Sequence, residues 1–265
     1  MPEFLDVCLE AARRGGQILL DWQDRFRARE KASRDLVTEA DVAAQDAIRA
    51  IVHKAFPDHD FLGEEEAADR KAQGLNPIAP RRGEYRWIVD PLDGTMNYVH
   101  RLPGFAVSIA LQRADDVILG VIFDPIADEC FIALRSQGVT LNGRRIQTSG
   151  CLRAAEALAA VSFSPHVTRE SPEITRFVNI LLACQSVRRM GSAALNLAYV
   201  AAGRLDVYLA TSVAIWDVAA GLLMVEEAGG AYAAIDGSPL VLERPEFIAA
   251  ASLPLRNELE KIVAG

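Results

Sequence analysis

The sequence predicts a layered fold in which helices pack on the faces of β-sheet. Three observations carry that expectation. Residues 3–29 repeat apolar side chains with a helical period, residues 86–134 hold four apolar runs separated by turn-forming residues, and residues 157–235 alternate strand-like with helix-like segments. A chain of 265 residues with 51% hydrophobic and 24% charged side chains has an ordinary globular balance and can bury its own core. One domain is expected over 1–265, with a first part at about 1–145 and a second at 146–265.

The first helix follows from Phe4, Cys8, Ala11, Gly15, Ile18, Leu19, Trp22 and Phe26, spaced by three and four residues. A second helix is expected over about 39–55, with Val42, Ile48, Ile51, Val52 and Ala55 inward. Thr38-Glu39-Ala40-Asp41 resembles its N-cap, with Asp in the capping-box position, and Pro57 closes it. Residues 69–83, with Gly74, Pro77 and Pro80, read as an exposed loop. Strands are expected at Arg86–Asp90, Phe105–Leu111, Val117–Asp124 and Glu129–Leu134, joined by hairpin turns at 113–116 and 124–128. Leu141-Asn142-Gly143-Arg144 signals a type I′ turn. Beyond it, strands are expected at 157–163, 205–210 and 231–235, and helices at 171–184, 191–203 and 216–228.

The net charge of −8 argues against a nucleic-acid surface, which calls for a basic stripe. No run of 18 apolar residues is present, so no membrane span is expected, and the N-terminal residues lack the pattern of a secretory signal. Cys8, Cys130, Cys151 and Cys184 are widely spaced and form no metal-ligand pattern. They read as reduced, mostly buried thiols of a cytoplasmic protein.

The stretch most informative about chemistry is Trp87-Ile88-Val89-Asp90-Pro91-Leu92-Asp93-Gly94-Thr95. An apolar run delivers two carboxylates, and a Gly-Thr pair follows. Carboxylate oxygens suit hard divalent cations, and a strand that turns into a helix start offers N–H donors to an anion. Taken alone, the pair also reads as a solvated turn or a helix cap. An acidic cluster can serve an anionic substrate because bound cations invert the local electrostatics.

Three further segments stand with it: Asp35-Leu36-Val37-Thr38-Glu39-Ala40-Asp41, Phe61-Leu62-Gly63-Glu64-Glu65 and Ile215-Trp216-Asp217-Val218-Ala219-Ala220-Gly221. In this order and at about these spacings, the four resemble the inositol monophosphatase family of metal-dependent, lithium-sensitive phosphatases. The likeness runs from the first helix to Glu226-Glu227-Ala228-Gly229-Gly230.

The resemblance implies an αβαβα sandwich of the inositol monophosphatase / fructose-1,6-bisphosphatase type. It also implies two or three Mg²⁺ ions, inhibition by Li⁺, a homodimer and a small phosphorylated metabolite as substrate. It makes Glu64, Asp90, Asp93 and Asp217 metal ligands, with the Leu92 carbonyl as a further oxygen donor. Thr95, oriented by Asp41, acts on the nucleophilic water. Gly94 and Thr95 hold the phosphate through their N–H groups, and the backbone at Gly191 and Ala193 meets substrate hydroxyls.

The residues alone leave other readings open. Asp41 and Asp217 also suit helix capping, Ser192 suits a plain N-cap, and Glu65 and Glu66 suit a solvated turn. Asn97 supports the turn after the ligands. Where inositol-specific members carry a hydroxyl-gripping Glu, this chain has Ala210, whose methyl accepts no hydrogen bond. A broad choice of small phosphomonoesters is therefore expected, with histidinol phosphate, fructose-1,6-bisphosphate and 3′-phosphoadenosine phosphate as related alternatives. A haloacid-dehalogenase phosphatase, with its carboxylate nucleophile, has one residue fewer between its two Asp. An acidic scaffold working through protein partners is the non-enzymatic alternative.

Overall fold

The computed structural model describes residues 2–23, 25, 28–32, 35–164 and 166–264, without the side chains of residue 2 or of 28–32 and 35–37. The elements in chain order begin with α1 (Pro2–Trp22), β1 (Ala28–Ala32), β2 (Asp35–Thr38), α2 (Glu39–Ala55), β3 (Asp60–Gly63), α3 (Glu64–Ala72), β4 (Tyr85–Asp93) and α4 (Thr95–Val99). Then follow β5 (Ala106–Arg113), β6 (Asp116–Asp124), β7 (Glu129–Leu134), β8 (Gly138–Leu141), β9 (Arg144–Ile146), β10 (Leu158–Ser162), α5 (Pro172–Ala183) and β11 (Ser186–Arg188). The chain closes with α6 (Ala193–Ala201), β12 (Val207–Ala210), α7 (Ile215–Glu227), β13 (Ala231–Ala234), β14 (Phe247–Ala250) and α8 (Leu253–Ala264).

Two large sheets and three helical layers build an αβαβα sandwich, beside a two-stranded β1–β2 hairpin. The seven-stranded sheet runs β3 to β9 in sequence order; β3–β4 is parallel and every later pair antiparallel. The five-stranded sheet is ordered β11-β10-β12-β14-β13, with β10 parallel to both neighbours and β14 antiparallel to both of its own. Alternating side chains sort the layers, because successive strand residues face opposite sides. Trp87, Val89, Val107, Ile109 and Val121 pack against α1 and α2. Ile88, Ala106, Ala110 and Ile122 pack against α6 and α7. The far sides of α6 and α7 pack on Tyr208, Ala210, Phe247 and Ala249. Val207, Leu209, Ile248 and Ala250 meet α5 and α8 on the outermost face.

The middle layer explains the composition of α6 and α7. Both lie between two sheets, so they are apolar nearly all round rather than along one stripe. They touch closely at Gly221, where an added Cβ would lie 2.4 Å from the Cβ of Leu197.

Several expectations need correction. The first helix ends at Trp22 rather than 29: residues 28–32 pair with 35–38 as an antiparallel hairpin, and Phe26 lies outside the described residues. In α2, Val42 is 46% exposed and Ala55 is exposed, so neither faces inward. The loop expected from 69 begins after Ala72, because α3 carries through Asp69–Ala72. Strand β3, strands β8 and β9, and the β14–α8 unit had no sequence reading. The turn at 141–144 has Asn142 at φ 48° and Gly143 at φ 78°, as a type I′ turn requires. All four cysteines are free, and among the described residues no helix is long and apolar enough to cross a membrane.

Candidate active site

Strand β4 carries an irregularity that decides where its two carboxylates point. Residues three apart on a flat strand face opposite sides. Here Asp90 pairs with Ser108 but Asp93 pairs with Ala106, so β4 holds one residue more than its partner across this interval. Such a bulge re-aims side chains. It places Asp93 on the side of Asp90, which is the side of α6 and α7. Pro91, which has no N–H to lend to a ladder, sits within the irregularity. Ser108, opposite Asp90, donates to the Trp216 carbonyl at 3.2 Å and so ties β5 to the first turn of α7.

Each carboxylate is then held by local backbone. Asp90, 2% exposed, accepts from the Leu92 N–H through Oδ1 at 2.9 Å. Asp217 Oδ2 accepts from the Ala214 N–H at 2.8 Å at the start of α7. The Asp217 charge also acts on Asp90. Asp93, 8% exposed, is gripped by the start of α6. Its Oδ1 accepts from Ala193 N at 3.1 Å and its Oδ2 from Ala194 N at 2.8 Å and from the Ser192 hydroxyl. Ser192 Oγ in turn accepts from Leu195 N at 3.1 Å as the N-cap. A carboxylate offers about four lone-pair sites, so capacity for a cation remains on each. The grip of Ser192 on Asp93, across 99 positions of chain, is the site feature that the sequence did not reveal.

The electrostatics mark the group as one unit. Burial and then the neighbouring charges of Glu64, Asp217 and Asp93 hold Asp90 well above the usual carboxylate range. Burial, Asp93 and Glu64 do the same to Asp217. Asp93 rises to about 6, mainly by burial, against the lowering effect of Ser192 and the α6 N–H groups. Glu64 opens α3 and is half-buried. Among the described residues no three Asp, Glu, His or Cys side chains close on one ion-sized point, so these carboxylates form a cluster rather than a finished cage. The donor set is all oxygen, and the mutual repulsion falls when a divalent cation sits between the groups. Both properties fit Mg²⁺.

The remaining site residues divide. Asp41 is fully buried, and its Oδ2 accepts from Thr38 N at 2.9 Å and Thr38 Oγ1 at 2.5 Å, a capping box. The one hydroxyl proton of Thr95 goes to the Leu92 carbonyl at 3.1 Å, so the expected donation from Thr95 to Asp41 is not made in this arrangement. Gly94 has φ +96°, and an added Cβ would lie 2.9 Å from the Gly104 carbonyl. Protein backbone, rather than only an approaching ligand, excludes a side chain there. Asn97 is structural: its Nδ2 donates to Gly104 O at 2.7 Å and Met190 O at 2.8 Å, and its amide fills the space a Cβ on Gly191 would need.

Two residues expected to contact substrate have surroundings of their own. The Ala193 N–H donates to Asp93 Oδ1 at 3.1 Å. Ala210 has 0% exposure and packs with Ala193, Tyr208, Val218 and Leu222, so its methyl does not line an open cleft. Glu65, read as solvated, is buried, with its N–H donating to Gln45 Oε1 at 3.0 Å; Glu66 pairs with Arg49 at 2.8 Å. A cavity of about 780 Å³ lies between α5, α8 and the β13–β14 connection and is lined by none of the clustered carboxylates.

Comparison with known proteins matches this arrangement to a family. The family model described as "Inositol monophosphatase family" matches residues 1–264. The chain is 38% identical over 250 residues to an inositol-1-monophosphatase of Mesorhizobium japonicum, covering 92% of this chain and 90% of the relative. It is 35% identical over 266 residues to Nus factor SuhB of Pasteurella multocida, covering 99% and 96%. Among solved structures, the inositol monophosphatase TM1415 of Thermotoga maritima superposes with a TM-score of 0.85 at 32% identity, covering 98% of this chain and 96% of that one. With the family model matching residues 1–264 and a relative 38% identical over 92% of the chain, the chain belongs to the inositol monophosphatase family.

Proposed function

We propose that this protein hydrolyses small phosphate monoesters in a Mg²⁺-dependent, inositol-monophosphatase-like reaction, by direct attack of water rather than through a phospho-enzyme. The observation that carries the reading is the electrostatic unit of Glu64, Asp90, Asp93 and Asp217, drawn from three chain segments to the starts of α3, α6 and α7. Burial and the neighbouring charges raise the pKa of Asp90, Asp93 and Asp217, a cost that the fold sustains and a cation removes. Mg²⁺ held there would polarise phosphoryl oxygens and lower the pKa of a water.

The chain's own residues supply the rest. Asp90 and Asp217 fix the depth of the site through Leu92 and Ala214. Asp93 ties the seven-stranded sheet to α6. The first-turn N–H groups of α4, starting at Thr95, have no acceptor within their own helix and suit a phosphate. The Thr95 hydroxyl, now on the Leu92 carbonyl, has its oxygen available to accept from a water. Inhibition by Li⁺, a homodimer and a cytoplasmic setting belong to the same reading.

A second reading, an acidic scaffold acting through protein partners, is favoured by one observation. Relatives of equal coverage carry the name Nus factor SuhB rather than that of a phosphatase. The deciding experiment is phosphate release from a panel of small phosphomonoesters, with and without Mg²⁺, combined with a trap for phospho-aspartate. Mg²⁺-dependent release with nothing trapped supports the proposal. No release from any ester leaves the scaffold, and a trapped phospho-aspartate defeats direct water attack.

A further inference from the structure

A second polar cavity, about 320 Å³, lies at the outer edge of the seven-stranded sheet, enclosed by α2, β3, α3 and the connection from α3 to β4. Four arginines line it (Arg49, Arg70, Arg82 and Arg86) against two carboxylates, Asp60 and Glu66. Such a balance is the reverse of that of the whole chain, whose net charge is −8. Both carboxylates are already engaged. Asp60 Oδ2 accepts from the N–H groups of Arg82 at 2.6 Å and Gly83 at 2.9 Å, and Glu66 pairs with Arg49 at 2.8 Å.

Arg86 is the unusual member. It is only 6% exposed, yet its hydrogen bonds go to neutral acceptors: Gln112 Oε1, at 3.1 Å from Nε and 2.7 Å from Nη2, and the Ala79 carbonyl at 3.5 Å. Among the described residues its one carboxylate within 4 Å is Glu243, 3.9 Å away and itself half-exposed, with the charge of Asp60 acting from further off. A guanidinium keeps its charge on burial, so a buried one without a close counter-charge carries a desolvation cost that an anion would offset. Its planar fork matches phosphate oxygens in pairs. Arg70, which lines the cavity, uses Nε on the Asn76 carbonyl at 2.9 Å, and its two Nη groups are the remaining donors of its fork.

We propose that this cavity is a phosphate-binding site, separate from the carboxylate cluster, that takes a phosphate dianion on Arg86 and Arg70. The dianion is either free inorganic phosphate or the phosphoryl group of a small metabolite. The cavity stands at the lower end of the range for small-molecule sites and so suits a small anion. The inference does not rest on the phosphatase reading, because none of the clustered carboxylates lines this cavity.

Calorimetric titration of inorganic phosphate into the whole protein tests it, first with EDTA, where the acidic cluster repels anions, and then with Mg²⁺. One saturable event in EDTA, persisting in Mg²⁺, is expected. Arg70→Gln should weaken it about tenfold, and Arg86→Gln should abolish it. Arg113→Gln, an exposed control outside the cavity, should leave it unchanged. Because Arg86 is buried, Arg70→Gln carries the test should Arg86→Gln fail to fold. No saturable binding in EDTA, or equal binding by wild type and Arg70→Gln, overturns the proposal. Glycerol 2-phosphate and a nucleoside monophosphate distinguish the sources. Affinity equal to that of inorganic phosphate assigns the site to the phosphate group alone, and tenfold tighter binding of an ester assigns it to a phosphorylated metabolite.

Discussion

Asp93 shows how much one side chain is asked to do. It accepts three hydrogen bonds from the start of α6 while facing the charges of Glu64 and Asp217. Asp93→Asn should lower Mg²⁺ affinity, because an amide is a poorer ligand for a hard cation. It should also destabilise the fold by about 1–2 kcal/mol, since the amide NH₂ cannot accept from α6. Calorimetric Mg²⁺ titration and urea unfolding report the two effects separately, and unchanged Mg²⁺ binding removes Asp93 from the site. Ala210 leads to a different expectation from the one its sequence position suggested. Its methyl is enclosed by Tyr208, Val218 and Leu222, so Ala210→Glu forces a carboxylate into an apolar cluster. A loss of about 1–3 kcal/mol is expected in urea unfolding, with no gain in preference for inositol 1-phosphate over glycerol 2-phosphate. A stable variant that does gain that preference would show that the strand opens its Ala210 side to substrate.

At the scale of elements, the middle layer is the part under tightest constraint. Glycine in a helix interior costs about 1 kcal/mol relative to alanine, yet α7 carries Gly221 because Leu197 of α6 leaves no room. Gly221→Ala should therefore destabilise the protein by about 1–3 kcal/mol despite its better propensity, because the clash is with the Leu197 Cβ and not with a flexible tip. A rise in urea midpoint would mean that the helices separate without cost. The same layer shows what sequence patterns reach. Helices α2, α5 and α7 and strands β4 to β7 were legible because their apolar period or turn residues are local. The unit β14–α8 was not: Phe247–Ala250 is a four-residue run buried on both faces, which has no alternation to read. Val42 misled for the opposite reason, being apolar and on the exposed side of α2. In the site, the motif carboxylates were visible, but the bulge that turns Asp93 toward Asp90 is a matter of pairing with β5, and the clamp from Ser192 comes from a distant segment.

For the molecule as a whole, the site sets a relation between pH, Mg²⁺ and stability. Asp90, Asp93 and Asp217 all have folded pKa values raised above their ordinary range, Asp93 to about 6. Between the unfolded pKa, about 3.9, and these folded values, the native state binds more protons than the unfolded chain, so stability falls as pH rises through this window. His59 acts in the opposite sense. Burial lowers its pKa, and its Nδ1 accepts from Trp87 Nε1 at 3.1 Å, so its contribution is present above pH about 6.5 and is lost as pH falls. A single pH–stability curve therefore mixes two signs. The difference between curves in Mg²⁺ and in EDTA cancels His59, which is not among the charges that act on the clustered carboxylates, and isolates the cluster. Mg²⁺ binds the ionised cluster and stabilises the native state by mass action. The increment in urea-derived stability should be largest at pH 8 and shrink toward pH 5, as protons compete for the same oxygens. In Asp93→Asn the increment should be smaller throughout. An increment independent of pH between 5 and 8 would place Mg²⁺ away from these carboxylates.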